Sequence, residues 1–152
     1  MRWKRSVAAV LGAVVVAATV VLGGSAANAA TISSSTCTSY TTYKPWYAGS
    51  SEMHIPSVGY QTGNVNCTLR YGNNNFAVHV LQETLRECFD GSITIDGVYG
   101  PQTRAAILFR QREANSGHGA GIAEDGIYGP QTRAWIKWLL YPPAGSCWPP
   151  PV

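Results

Sequence analysis

The chain has 152 residues, room for one domain or one domain with extra segments, and its 45% hydrophobic content excludes a disordered acidic or basic tail. Charged residues make up only 12%, and the formal charge is +3. Arg2, Lys4 and Arg5 account for that excess, because the rest of the chain carries eight Lys and Arg against eight Asp and Glu; this argues against charge-driven binding to nucleic acid or an anionic membrane.

The first thirty residues read as an export signal. A basic start, Met1 to Arg5, precedes an apolar run from Val7 to Leu22, then small residues and the tripeptide Ala27-Asn28-Ala29. Cleavage is expected after Ala29, leaving residues 1–29 as the signal. The competing reading is an uncleaved anchor, but an apolar run of about 16 residues is short for a spanning helix. Export places Cys37, Cys67, Cys88 and Cys147 in an oxidising compartment, where two disulfides are expected. A structural zinc site fails on spacing, since no two cysteines lie within four residues of each other.

Residues 30–66 are rich in Ser, Thr, Tyr and Gly and show no helical period. Ser39–Tyr43 and Ile55–Tyr60, with Pro45 and Pro56, read as extended segments or turns. This aromatic-rich stretch is expected to be an irregular arm packed on the main domain. The first helix begins near Asn75, a suitable N-cap, and ends near Phe89. Val78, Leu81, Leu85 and Cys88 form its apolar stripe.

An internal repeat follows. Asp96-Gly-Val-Tyr-Gly-Pro-Gln-Thr-Arg-Ala-Ala-Ile107 recurs as Asp125-Gly-Ile-Tyr-Gly-Pro-Gln-Thr-Arg-Ala-Trp-Ile136, with ten of twelve positions identical at an offset of 29. Asp-Gly makes a tight turn, and Gly-Pro then starts a helix with Pro101 or Pro130 at its first position. Helices are expected over Pro101–Glu113 and Pro130–Tyr141, joined by a Gly-rich loop at Asn115–Gly121. Residues 142–152 form a Pro-rich tail suited to polyproline II.

From about Leu69 to Leu140 the chain resembles the helical peptidoglycan-binding domain appended to many bacterial wall hydrolases. The resemblance is carried by Leu69-Arg70-Tyr71-Gly72, by the Val78…Leu81-Gln82…Leu85 pattern and by both Asp-Gly-aromatic-Gly-Pro-x-Thr boxes. Two departures stand out. Arg110-Gln111 occupies the place where the family has Phe-Gln, with Phe109 one position early, and the loop Ser116–Glu124 is longer than usual. The resemblance implies an all-α, compact three-helix domain over residues 67–141 and non-catalytic binding of peptidoglycan through stem peptide and sugars. With the termini of such a domain close together, Cys67–Cys147 with Cys37–Cys88 is the favoured disulfide pairing. Cys37–Cys67 with Cys88–Cys147 stays open.

Several residues are candidate ligand contacts. Arg104 and Arg133 sit one turn into their helices, against the helix dipole, where a ligand carboxylate, a salt bridge to Asp96 or Asp125, or simple duplication would each account for them. Thr103, Thr132, Gln102 and Gln131 would serve ligand amides. Tyr99 and Tyr128 would stack on sugar or methyl groups or else fill the core. Trp135 and Trp138 lie three apart on the third helix, where an exposed indole would offer a carbohydrate platform and the favoured alternative is a contact with the core or the disulfide-held tail. Together these residues would border a shallow groove between the two box-led helices.

An enzyme is not expected. The acids fall on turns and helix faces, while Glu52-Met53-His54, His79 and His118 are scattered and include no H-E-x-x-H. No cofactor and no metal are expected. The reading is a secreted, wall-associated monomer whose partner is peptidoglycan and which could serve a separate wall hydrolase, with no nucleic acid and no membrane after signal cleavage. The rival readings are a small secreted wall hydrolase and a secreted interaction or inhibitor protein on the same scaffold.

Overall fold

The computed structural model describes residues 35–89, 91–142 and 146–150. The chain divides into two units, and the first, Met1–Thr31, lies outside the described residues together with the expected export signal. The second unit runs in the order β1 (Ser35–Thr36), β2 (Ser39–Tyr43), β3 (Glu52–Ser57), β4 (Cys67–Thr68), α1 (Phe76–Phe89), α2 (Pro101–His118), α3 (Pro130–Arg133), β5 (Trp138–Tyr141) and β6 (Cys147–Trp148).

Asn75 starts α1 as its spacing suggests, accepting the Val78 amide on Oδ1 at 3.2 Å while its side-chain amide donates to the Cys37 carbonyl at 3.0 Å. The helix buries Ala77, Val78, Val80, Leu81, Gln82, Thr84 and Leu85, more than one stripe. That breadth follows from its place, since it packs on β2, β3 and β5 while Gln82 reaches the first repeat box. The next helix, α2, buries only Thr103, Ile107, Gln111 and Ala114, a single narrow stripe. It continues past Glu113 to His118 because its stop signal is Gly119, which adopts the left-handed conformation and donates its amide to the Asn115 carbonyl at 3.0 Å.

The all-α expectation is overturned. A four-stranded antiparallel sheet in the order β2-β3-β5-β6 lies against α1, and β1 pairs in parallel with β4. The stretch expected to be an irregular arm supplies β2 and β3, in register from Ser39 opposite Ser57 to Tyr43 opposite Met53. The third expected helix lasts one turn. After Arg133 the chain becomes β5, placing Met53 opposite Leu140 and Glu52 opposite Tyr141. The residues there are Trp, Leu and Tyr followed by Pro142, which fit a strand that ends at once better than a continuing helix. Trp138, Leu139 and Leu140 are all buried. The expected polyproline tail also contributes a strand, with Cys147 opposite Leu139.

The disulfides are Cys37–Cys67 and Cys88–Cys147. The favoured pairing, Cys67–Cys147 with Cys37–Cys88, is therefore corrected. Parallel pairing of β1 with β4 brings Cys37 beside Cys67, and the Cys37 amide donates to the Thr68 carbonyl at 3.1 Å. Because β5 turns back into the sheet, the chain end lies beside the end of α1 and not at the start of the domain. Closing loops of 30 and 59 residues contributes on the order of 3–4 kcal/mol each in the chain-entropy account. Tryptic digestion of the oxidised protein is expected to join the peptide from Glu87 to Arg104 with that from Trp138 to Val152, and to leave Cys37 and Cys67 bridged within one peptide. A mass linking Cys37 to Cys88 would contradict this topology.

Candidate functional site

The two repeat boxes are built around a buried carboxamide. Gln82 places Nε2 2.8 Å from Asp96 Oδ1, 3.0 Å from the Val98 carbonyl and 3.1 Å from Thr103 Oγ1, and its Oε1 accepts the Gly97 amide at 2.8 Å and the Asp96 amide at 3.1 Å. Gln111 repeats the pattern with Asp125 Oδ1 at 3.0 Å, the Ile127 carbonyl at 3.0 Å, Thr132 Oγ1 at 3.1 Å and the Gly126 amide at 2.8 Å. The offset of 29 thus extends back from the boxes to the two glutamines. Gly97 and Gly126 take φ of +73° and +70°, and a Cβ on Gly126 would come within 2.7 Å of Arg104 Cγ.

This construction places most of the candidate contacts inside the fold. Thr103, Thr132, Tyr99, Tyr128 and Trp138 are buried. The Tyr99 hydroxyl donates to the Gly126 carbonyl at 3.0 Å, joining one box to the next. The Tyr128 hydroxyl and the Trp138 indole N–H have no hydrogen-bond partner among the described residues, and the two rings meet edge to face at 6.1 Å. Gln102 and Gln131 are exposed. Arg104 reaches the Asp125 carbonyl at 3.4 Å and Arg133 the Val65 carbonyl at 2.6 Å, so each guanidinium ties its helix to another segment. They line separate hollows, Arg104 with Tyr71 and Leu108, Arg133 with Tyr43 and Val65.

The concavity that gathers charge and aromatic surface lies elsewhere, between the end of α1, the last turns of α2, residues 134–137 and the tail. It has a volume of about 380 Å³ and is lined by Phe89, Arg110, Glu113, His118, Trp135 and Lys137, among others. Trp135 is 40% exposed and stacks on His118 at 5.6 Å. Arg110 pairs with Glu113 at 2.7 Å and lies between the Phe89 and Phe109 rings, 4.5 and 4.4 Å from their centroids. On the other side of Arg110 a second hollow of about 430 Å³ continues to Gln102 and Phe109. The Phe109-Arg110 departure from the family pattern was the sequence signal for this surface; Lys137 and His118 gave none, because only the folded chain brings them beside Trp135.

The structure also collects two of the scattered histidines, His54 and His79, on another seam. His54 bonds Glu52 at 3.2 Å and stacks on Tyr141 at 4.4 Å, Tyr141 donates its hydroxyl to Glu83 at 2.8 Å, and His79 pairs with Glu83 at 3.4 Å. Phe76 and Tyr40 close the circle, through rings 5.3 Å from His79 and 4.3 Å from His54. Burial and the Glu83 carboxylate push the Tyr141 hydroxyl above its ordinary pKa. The circle joins α1 to the sheet, and no group of three or more His, Cys, Asp or Glu able to hold a metal ion occurs among the described residues.

Residues 75–136 match the family described as putative peptidoglycan binding domain, and this segment is a domain of that family. No match was found among curated proteins or among solved structures. Among the described residues, no helix is long and apolar enough to cross a membrane.

Two predictions follow from the boxes. Tyr99→Phe is expected to cost about 1 kcal/mol and Tyr128→Phe nothing or a slight gain in urea unfolding, since only the first hydroxyl has an acceptor to lose. The Gln82 side chain, with the Val98 amide, holds the Asp96 carboxyl below its ordinary 3.8. A depressed folded pKa contributes stability that is present above the unfolded value and lost as pH falls through the folded one. Thermal stability should therefore fall below about pH 4, read as a lower melting temperature, and Asp96→Asn should flatten that acid limb.

Proposed function

We propose that the chain binds bacterial cell-wall peptidoglycan without cleaving it, as an exported protein, and that the concavity between α2 and the C-terminal segment receives the stem peptide. The observation that carries this reading is the meeting of Lys137 with the exposed face of Trp135 in one concavity, beside the Arg110–Glu113 pair. An ammonium group suits a stem-peptide carboxylate, and an indole face suits an alanine methyl of that peptide. Trp135 and Gln102, among the residues selected from the repeat, border this surface and its continuation beyond Arg110. Single contacts of this kind are weak, and a polymeric wall multiplies them into useful retention.

Co-sedimentation of the oxidised protein with insoluble peptidoglycan, with the supernatant assayed for released muropeptides, tests the reading. Pelleting without release is expected. Trp135→Ala combined with Lys137→Glu should weaken binding about tenfold, equivalent to about 1.4 kcal/mol. If Arg104→Ala with Arg133→Ala abolishes pelleting at unchanged melting temperature, the site belongs to the box-led helices. Release of muropeptides would make the chain a hydrolase, and protein that stays in solution would favour a protein partner.

A further inference from the structure

A second aromatic surface lies outside the segment matched by the family. Trp46 and Tyr47, in the connection between β2 and β3, continue into Trp148 of β6: the Trp46 and Tyr47 rings are 5.5 Å apart, and the Tyr47 and Trp148 rings 5.0 Å apart. Trp46 is 92% exposed, Trp148 44% and Tyr47 39%. These rings are held in place. Pro45 is buried, the Ala48 amide donates to the Pro45 carbonyl and the Ser51 amide to the Ala48 carbonyl, both at 3.0 Å, and the Ser51 hydroxyl donates to the Pro142 carbonyl at 2.6 Å. Trp148 is fixed by its strand pairing with Trp138 and by the neighbouring Cys147 disulfide.

Charge and size narrow the ligand. Residues 45–51 and 146–150 contain no Asp, Glu, Lys, Arg or His, and the flanking Lys44 and Glu52 neutralise each other across 3.6 Å. Such a strip has nothing to offer the carboxylates of a stem peptide. Three aromatic side chains, at about 150–250 Å² each when fully covered, also fall short of the roughly 800 Å² per partner of a stable protein interface. A line of uncharged rings instead fits successive C–H faces of a neutral sugar chain, whose hydroxyls remain in water. Pro149 and Pro150, the residues after Trp148, line the concavity assigned to the stem peptide, so the two surfaces adjoin.

We propose that Trp46, Tyr47 and Trp148 form a binding strip for a neutral β-linked glycan, the sugar backbone of the same polymer whose stem peptides enter the concavity. This deepens the peptidoglycan reading, but it stands on its own geometry. The test is isothermal titration of the intact oxidised chain with a hexamer of β-1,4-linked N-acetylglucosamine, which has no stem peptide and no charge. The hexamer should bind, and Trp46→Ala should weaken it about threefold to tenfold, the loss expected of one ring contact, with Trp46→Phe restoring most of it. Because Trp46 is almost wholly exposed, its removal leaves the core intact, and an unchanged melting temperature verifies that. Trp135→Ala with Lys137→Glu should leave hexamer affinity unchanged. Absence of hexamer binding, full affinity in Trp46→Ala, or an equal loss in the Trp135 and Lys137 variant each overturns the strip. A hexamer that fails to bind while peptidoglycan still pellets removes the strip and spares the concavity; hexamer binding through Trp46 with no pelleting removes the concavity and overturns the assignment of the strip to the peptidoglycan backbone.

Discussion

Each box depends on one glutamine carboxamide. Its oxygen takes the turn amides that no backbone partner reaches, and its nitrogen serves a carboxylate, a carbonyl and a hydroxyl at 2.8–3.1 Å. Glutamate would lack the donors and leucine both functions; either would leave buried polar groups unpaired at about 1–3 kcal/mol each. The Asp and the Thr of the box owe their identities to this side chain. So does the way α2 starts, with Gly100 as a cap that offers no side-chain hydrogen bond and Thr103 turned to Gln82 and the Val98 carbonyl.

The unit that repeats is therefore a glutamine on one helix, a turn, and the first turn of the next helix. Helix α2 belongs to two units, opening after the first box and supplying Gln111 to the second. The same spacing beyond Gln111 falls on Leu140, and the series ends there in β5. Tyr99 finds its acceptor in the following box, whereas Tyr128, with no further box to meet, is covered by Trp138. Ending the series with a strand also lets the chain reach β3 and then Cys88, which binds the N-terminal segment, α1 and the tail into one core.

Ending the series in this way determines which surfaces stay open. Most box side chains are taken up by internal bonds, which is why the proposed contacts lie where the repeat is interrupted, around Trp135 and Lys137. A sheet built from Ser39–Tyr43, Glu52–Ser57, Trp138–Tyr141 and Cys147–Trp148 adds an uncharged aromatic edge absent from three packed helices. A charged concavity beside a neutral strip matches a polymer with charged peptides on a sugar backbone.

The local signals in the sequence were sound where short-range chemistry decides the outcome. Asn75 starts α1, Ser39–Tyr43 is a strand, Pro101 and Pro130 open helices, and the twelve-residue repeat marks two equivalent turns. The family was legible for the same reason, since its boxes are contiguous in the chain. Side-chain exposure within a box was not, because it depends on Gln82 and Gln111, each 14 residues before its Asp. The fate of residues 134–141 was equally hidden. Their apolar spacing suits a helix, and only the free edge of β3, formed more than eighty residues earlier, makes the strand preferable by pairing its backbone and burying Trp138 and Leu140. The disulfide partners follow from that choice, because two cysteines bond only where the chain has already brought them together.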